Sequence, residues 1–160
     1  MQLPLNEQFE ALSYYGRGPV ETYWDRHDSE GLGIYNSTVT EQFYPYIRPQ
    51  ENGNHVDLRW MQLRAANGRG LRIVGIDSQD ASRLAPFSAS ALHYTPQSLD
   101  EGPDKHNLHS PEICAQPLTN VCLDLHQMGL GCVNSWYAWP RPEYQLPYAD
   151  YSFTFQLLPL

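Results

Sequence analysis

The densest concentration of chemistry in this 160-residue chain is the run Gly129-Leu130-Gly131-Cys132-Val133-Asn134-Ser135-Trp136-Tyr137-Ala138-Trp139-Pro140-Arg141-Pro142. Two glycines, a polar pair and three aromatics set among prolines describe a rigid loop that presents flat rings. An aromatic face stacks on the C–H face of a pyranose, and a ring with few rotatable bonds loses little entropy when it does so. Trp136, Tyr137 and Trp139 are therefore the candidate sugar-binding residues. The competing reading makes Trp136 and Trp139 buried anchors that hold an irregular loop in place.

Glycoside hydrolysis asks for a second kind of group, two carboxyls about 5–5.5 Å apart for retention or about 6.5–9.5 Å apart for inversion. Sequence spacing assembles no such pair. Glu21 with Asp25, and Glu30 with Glu41, lie in turn-rich or solvent-facing sequence and read as solvated surface charges, so no catalytic residue is assigned. There is no Gly-x-Ser-x-Gly elbow, and the six histidines form no His-Glu-x-x-His helix. Gly16-Arg17-Gly18-Pro19 lacks the Gly-Lys-Ser/Thr ending of a phosphate loop and reads as a turn. Cys114, Cys122 and Cys132 make an odd count, and adding His126 gives a spacing that fits no familiar zinc pattern. The expectation is buried free thiols, no metal and no cofactor.

Composition narrows the class. A hydrophobic share of 41%, 11 tyrosines, 4 tryptophans and 13 prolines suit strands and turns in one domain better than helices. A formal charge of −8, from ten Lys and Arg against eighteen Asp and Glu, leaves no footprint for a phosphate backbone, so nucleic acid is not an expected partner. No run approaches the roughly 18 apolar residues of a membrane helix, and Met1-Gln2-Leu3-Pro4 opens no signal peptide. The segment is expected to be soluble, its compartment, cytoplasmic or periplasmic, depending on sequence upstream.

The elements that must hold the aromatic loop read as strands throughout. Tyr151, Phe153, Phe155 and Leu157 alternate with polar residues and predict a final strand with one core-facing side; Val121, Leu123 and Leu125 do the same. From Val56 the apolar phase runs through Leu58 and Trp60 and slips at Trp60-Met61, where a β-bulge would restore register. Asn67-Gly68-Arg69-Gly70 predicts a hairpin. Residues 87–94 form another strand, and residues 95–111 a polar surface connection with one helical turn. The opening residues show no strand of their own and run into Phe9 as though cut from a longer chain.

Three blocks then meet a known pattern. Tyr14-Tyr15-Gly16-Arg17-Gly18-Pro19-Val20-Glu21-Thr22-Tyr23-Trp24-Asp25-Arg26, Tyr46-Ile47-Arg48-Pro49-Gln50-Glu51-Asn52-Gly53, and Met128-Gly129-Leu130-Gly131 followed by Asn134-Ser135-Trp136 occur in the order seen in the C-terminal small-chain domain of the β-galactosidases of glycoside hydrolase family 2, which the chain resembles over nearly all of residues 9–158. It departs from the family at Gly131-Cys132-Val133-Asn134 and in an insertion-like Ala138-Trp139-Pro140-Arg141-Pro142.

The resemblance implies an all-β, antiparallel supersandwich of the galactose-mutarotase-like type, present as an N-terminally truncated portion. Residues 1–160 would form a single domain at the C-terminal end of a larger retaining glycosidase. Its catalytic glutamates and metal sites would sit in a separate barrel and other domains, which become expected partners beside the galactoside substrate. Trp136, by its place in the Ser-Trp block, would reach into the active site, with Tyr137 and Trp139 as second choices. The blocks at Asp25-Arg26 and Glu51-Asn52-Gly53 would be structural, an Asp–Arg or a Glu–backbone bond pinning a loop. Missing strands would expose unpaired edges, giving either a homo-oligomer or a smaller closed sandwich. Two other functions stay open: a stand-alone carbohydrate-binding module, which needs an exposed aromatic platform, and a mutarotase-like epimerase, which needs His93 or His126 facing a carboxylate across a concave sheet.

Overall fold

Leu12 and Tyr14 alternate with half-exposed residues along β2 (Ala11–Gly18), which places the strand between an apolar interior and a partly wetted outer face. In the computed structural model, which describes residues 1–100, 109–131 and 138–160, β2 lies inside a five-stranded antiparallel sheet. Its neighbours are β3 (Gly31–Thr38) and β5 (Trp60–Arg64), followed by β6 (Gly70–Ile76) and β9 (Thr154–Pro159). A second sheet orders β1 (Gln2–Asn6), β8 (Leu118–Asp124), β7 (Phe87–Leu92) and β4 (His55–Leu58), again antiparallel. Leu12, Tyr14, Met61, Leu63 and Ile73 from the first meet Leu58, Phe87, Ala89, Val121 and Leu123 from the second, so the fold is an all-β sandwich with its core between the layers.

The β5–β6 hairpin forms where Asn67-Gly68 places it, with Gly68 at φ +85°. β7 (Phe87–Leu92) stops two residues short of its expected end, and β8 (Leu118–Asp124) holds Val121 and Leu123, both buried, with Leu125 just beyond it. The polar connection holds one helical turn, α1 (Pro96–Leu99), whose Thr95 hydroxyl accepts the Ser98 N–H at 3.2 Å.

Three expectations need correction. The opening residues do form a strand: β1 pairs with β8 from Gln2 opposite Cys122 to Asn6 opposite Leu118. The phase slip near Trp60 is not a bulge within one strand, because the chain leaves one sheet after Leu58 and enters the other at Trp60. The chain bends at Arg59, while Asp57, at φ +56° within β4, bonds its carboxylate to the Arg17 guanidinium at 2.6 Å. The irregularity in pairing lies between His55 and Leu58. In the last strand, Phe153 and Phe155 pack on the core, but Tyr151 is 51% exposed and donates its hydroxyl hydrogen to Pro147 O, closing a local turn before the strand begins. Leu157 is 41% exposed, on β9, which has no strand beyond it among the described residues. Each sheet thus ends in edge strands, β3 and β9 in one and β1 and β4 in the other. Among the described residues no helix is long and apolar enough to cross a membrane.

Candidate functional site

A cis Gly18-Pro19 bond carries the chain out of β2 into residues 20–26, which lie along residues 52–56. Thr22 donates its N–H to Asn54 O at 2.7 Å, Asn54 returns a side-chain bond to Thr22 O at 2.9 Å, and the Thr22 hydroxyl accepts the Val56 N–H at 2.9 Å. Glu21, only 8% exposed, turns its carboxylate inward. One oxygen accepts the Gly53 N–H at 2.8 Å; the other accepts from Arg26 Nη2 at 3.1 Å and from the Tyr46 hydroxyl. Burying a carboxylate is costly unless it is paired and hydrogen-bonded, and here both conditions are met. Arg26 also donates to Tyr46 Oη at 3.1 Å, so one buried anion fixes a guanidinium and a phenol at the surface.

Asp25 faces a different partner. Its Oδ1 accepts the Leu130 N–H at 3.0 Å and its Oδ2 the Gly131 N–H at 2.7 Å, across 105 and 106 residues of sequence. The backbone there is open to it because Gly129 has no side chain: a Cβ would lie 2.8 Å from Asp25 Oδ2 and 2.8 Å from the Tyr144 Cβ. Gly131, at φ +71°, brings the chain against residues 138–140, where a Cβ would lie 3.0 Å from Ala138 O. On that returning side Gln145 Nε2 donates to Pro140 O at 2.6 Å, and the Gly129 N–H to Tyr144 O at 2.7 Å. The two roots of residues 132–137 are thereby held against each other.

Beside the first root opens a cleft of about 570 Å³, walled by Tyr23, Arg26, Tyr46, Gln50, Glu51 and Leu130. A second, also of about 570 Å³, shares Tyr23, Glu51 and Leu130 and extends toward Asp124 and His126. Desolvation by the cleft walls, reinforced by the Asp124 carboxylate, raises the Glu51 carboxyl above the ordinary carboxylate range. Burial, with Glu21 adding to it, raises the Tyr23 phenol well above its usual value, so the phenol stays neutral. Arg26, Gln50 and Glu51 offer the donors and acceptors that sugar hydroxyls use.

Of the aromatic candidates, Trp139 stands at the second root and is 72% exposed; Trp136 and Tyr137 lie outside the described residues. Glu21 and Asp25, set aside on sequence as surface charges, are committed to structure and point to different partners. The expected loop-pinning bonds exist with other members: Arg26 pairs with Glu21 instead of Asp25, and the carboxylate on the Gly53 amide belongs to Glu21 instead of Glu51. Sequence could not assign the Glu21–Gly53 bond, whose partners lie 32 residues apart, and the Arg26–Glu21 pair, five residues apart, competes with the adjacent Asp25 for the same guanidinium. His93 does face a carboxylate, Glu10 Oε2 at 2.7 Å, but its other ring nitrogen lies 2.8 Å from Leu118 O. Both nitrogens are occupied in a bridge between the two sheets, which leaves none to exchange a proton with a substrate. His126 instead stacks on Trp24 at 5.0 Å. Among the described residues no group of three His, Cys, Asp or Glu is placed to hold a metal.

The sequence profile of the beta galactosidase small chain matches residues 1–157. The chain is 39% identical over 162 aligned positions to a beta-galactosidase of Priestia megaterium, covering 100% of this chain and 14% of that protein. It is 34% identical over 140 positions to the beta-galactosidase BgaC of Bifidobacterium adolescentis, 88% of this chain and 12% of the relative. To a beta-galactosidase of Streptococcus thermophilus it is 30% identical over 161 positions, 100% of this chain and 14% of the relative. The chain thus spans about one-seventh of the length of these relatives.

Proposed function

The chain belongs to the beta-galactosidase small-chain family, and on that premise we propose that it is the C-terminal, non-catalytic sandwich domain of a retaining β-galactosidase. The parent enzyme hydrolyses terminal β-D-galactosides with two carboxyls carried by a separate barrel domain. This domain contributes an aromatic platform for the sugar, with Trp136 as the main contact and Tyr137 and Trp139 beside it. The observation that supports the reading is the clamp on the roots of residues 132–137: a carboxylate on one side, a side-chain amide on the other, and a glycine that lets them meet. Such bracing is what a loop needs if its rings are to meet a substrate in one fixed pose. Glu21 and Asp25, the two acidic side chains of residues 20–26, make structural bonds, as expected if the catalytic carboxyls come from elsewhere, while Glu51 and Asp124 line the clefts.

The test is hydrolysis of a chromogenic β-galactoside by the isolated chain, the full parent enzyme and its Trp136→Ala variant. The chain alone is expected to be inert. The variant is expected to lose kcat/KM by roughly 2- to 13-fold, the equivalent of about 0.5–1.5 kcal/mol of ring stacking. Activity in the isolated chain, or an unchanged parent variant, would sink the proposal.

One observation favours a second reading, a carbohydrate-binding module that works without the barrel: Trp139 is 72% exposed. Titrating the isolated chain with galactose and lactose while following tryptophan fluorescence separates the two. Saturable binding that Trp139→Ala removes supports the module, and no binding supports the accessory domain.

A further inference from the structure

Leu130 and Gly131 aim two adjacent backbone N–H groups at one carboxylate, that of Asp25. With Gly131 at φ +71°, the pair forms a concavity of successive amides of the kind that holds anions, and here the anion is a side chain of the same molecule. The carboxylate is not shared with its neighbour, because Arg26 is turned to Glu21 and Tyr46. It is held in place from behind by its own segment, in which Tyr23 and Arg26 exchange backbone bonds of 3.0 and 2.9 Å. From that segment Asp25 reaches across to the residues that lead directly into 132–137.

We infer that Asp25 is a positioning residue for galactoside hydrolysis: by gripping the Leu130 and Gly131 amides it fixes the root from which the sequence continues to Trp136. This rests on the reading of Trp136 as a sugar contact, and it adds a residue that touches no substrate yet governs one that does. The two glycines follow from the same device. Gly129 clears the space for the carboxylate, and Gly131 both completes the amide pair and lets the outgoing chain press on the returning one. A side chain at position 129 would push Asp25 off its partners, so Gly129→Ala is expected to copy the loss of Asp25. Charge matters as well as shape, since hydrogen bonds to an ionised acceptor are about twice as strong as neutral ones.

The experiment uses the full parent enzyme with Asp25→Ala and Asp25→Asn, each made in the native and in the Trp136→Ala background. Hydrogen exchange at the Leu130 and Gly131 amides is read alongside kcat/KM and the melting temperature. Asp25→Ala should speed exchange at both amides by about tenfold or more, as expected when a local opening loses its charged partner. In the native background it should lower kcat/KM by about as much as Trp136→Ala does, and in the Trp136→Ala background it should cost nothing further. Asp25→Asn keeps one acceptor oxygen and should fall between. An equal loss in both backgrounds would show that Asp25 acts on overall folding, and unchanged exchange would show that it does not hold the loop; either overturns the inference. Should Trp136→Ala leave activity intact, it is the functional reading that fails, and the exchange rates still decide whether Asp25 is the anchor.

Discussion

Between the two sheets the buried side chains include Leu63, Ile73, Phe87 and Leu123; in the platform built from residues 20–26, 44–54 and 128–131 the aromatic Tyr23 is buried beside the polar Glu21, Thr22, Asn52 and Asn54. The first region is held by non-directional burial spread over many partners. The second is held by a few directional bonds between named donors and acceptors, several of them joining segments distant in sequence. The difference teaches where each region is vulnerable. A core side chain can be trimmed and the loss shared by its neighbours as they relax, whereas a platform residue either makes its bond or leaves a buried polar group without a partner. It also separates roles: the core keeps the domain folded, and the platform sets where the loop roots lie.

The sharpest way to break this contrast is to damage the core and ask whether the platform notices. Phe87→Ala is expected to destabilise the chain by about 3–5 kcal/mol, seen as a fall in the denaturant midpoint, while exchange at the Gly53 amide changes only through global unfolding. A selective loss of protection at Gly53 would show that the two regions are one.

A smaller effect probes the seam between them. His55, at the start of β4, lies against Tyr14 with its ring nitrogens 3.1 Å from Arg17 O and 2.6 Å from Gln42 Oε1. Burial pushes its pKa down from 6.5 to about 4. The unfolded chain binds a proton below pH 6.5 that the folded chain refuses until about pH 4. Stability from this group is therefore fully present above pH 6.5 and is lost as pH falls toward 4, by roughly 3 kcal/mol. Urea midpoints for the native chain and His55→Asn across that window check it: the native chain should show the steeper acid loss, and parallel curves would remove His55 as the cause.

The smallest effect belongs to the platform. Glu21→Gln keeps the shape but weakens the bonds to Arg26, Tyr46 and Gly53, for an expected loss of about 1–3 kcal/mol in the local opening free energy at Gly53. Its signature is faster exchange at Gly53 with little change in melting temperature. A loss as large as that of Phe87→Ala would mean that the buried carboxylate, too, belongs to the core.

This contrast also explains what the sequence made legible. The Asn67-Gly68 hairpin and the β7 and β8 strands could be read because turn chemistry and period-two alternation are local. The chain's passage from one sheet to the other could not, because a slipped phase looks the same whether it comes from a bulge or from a change of layer. The three family blocks marked residues 14–26, 46–53 and 128–136 as belonging together without saying which atoms join them. Asp25 looked like a surface charge since nothing nearby in sequence reveals a partner 105 positions away, and Glu21 since its burial depends on the Gly53 amide 32 positions away, although Arg26 lies only five residues on.

The crossing at Arg59 has a consequence for how the molecule comes apart. Residues 55–64 are one continuous stretch whose first half is β4 of one layer and whose second half is β5 of the other, with the Arg59 N–H tied to Tyr15 O at 2.8 Å on the way. Neither layer can peel away without dragging that stretch out of its neighbour. The sandwich should therefore melt as one cooperative unit, its calorimetric and van 't Hoff enthalpies equal.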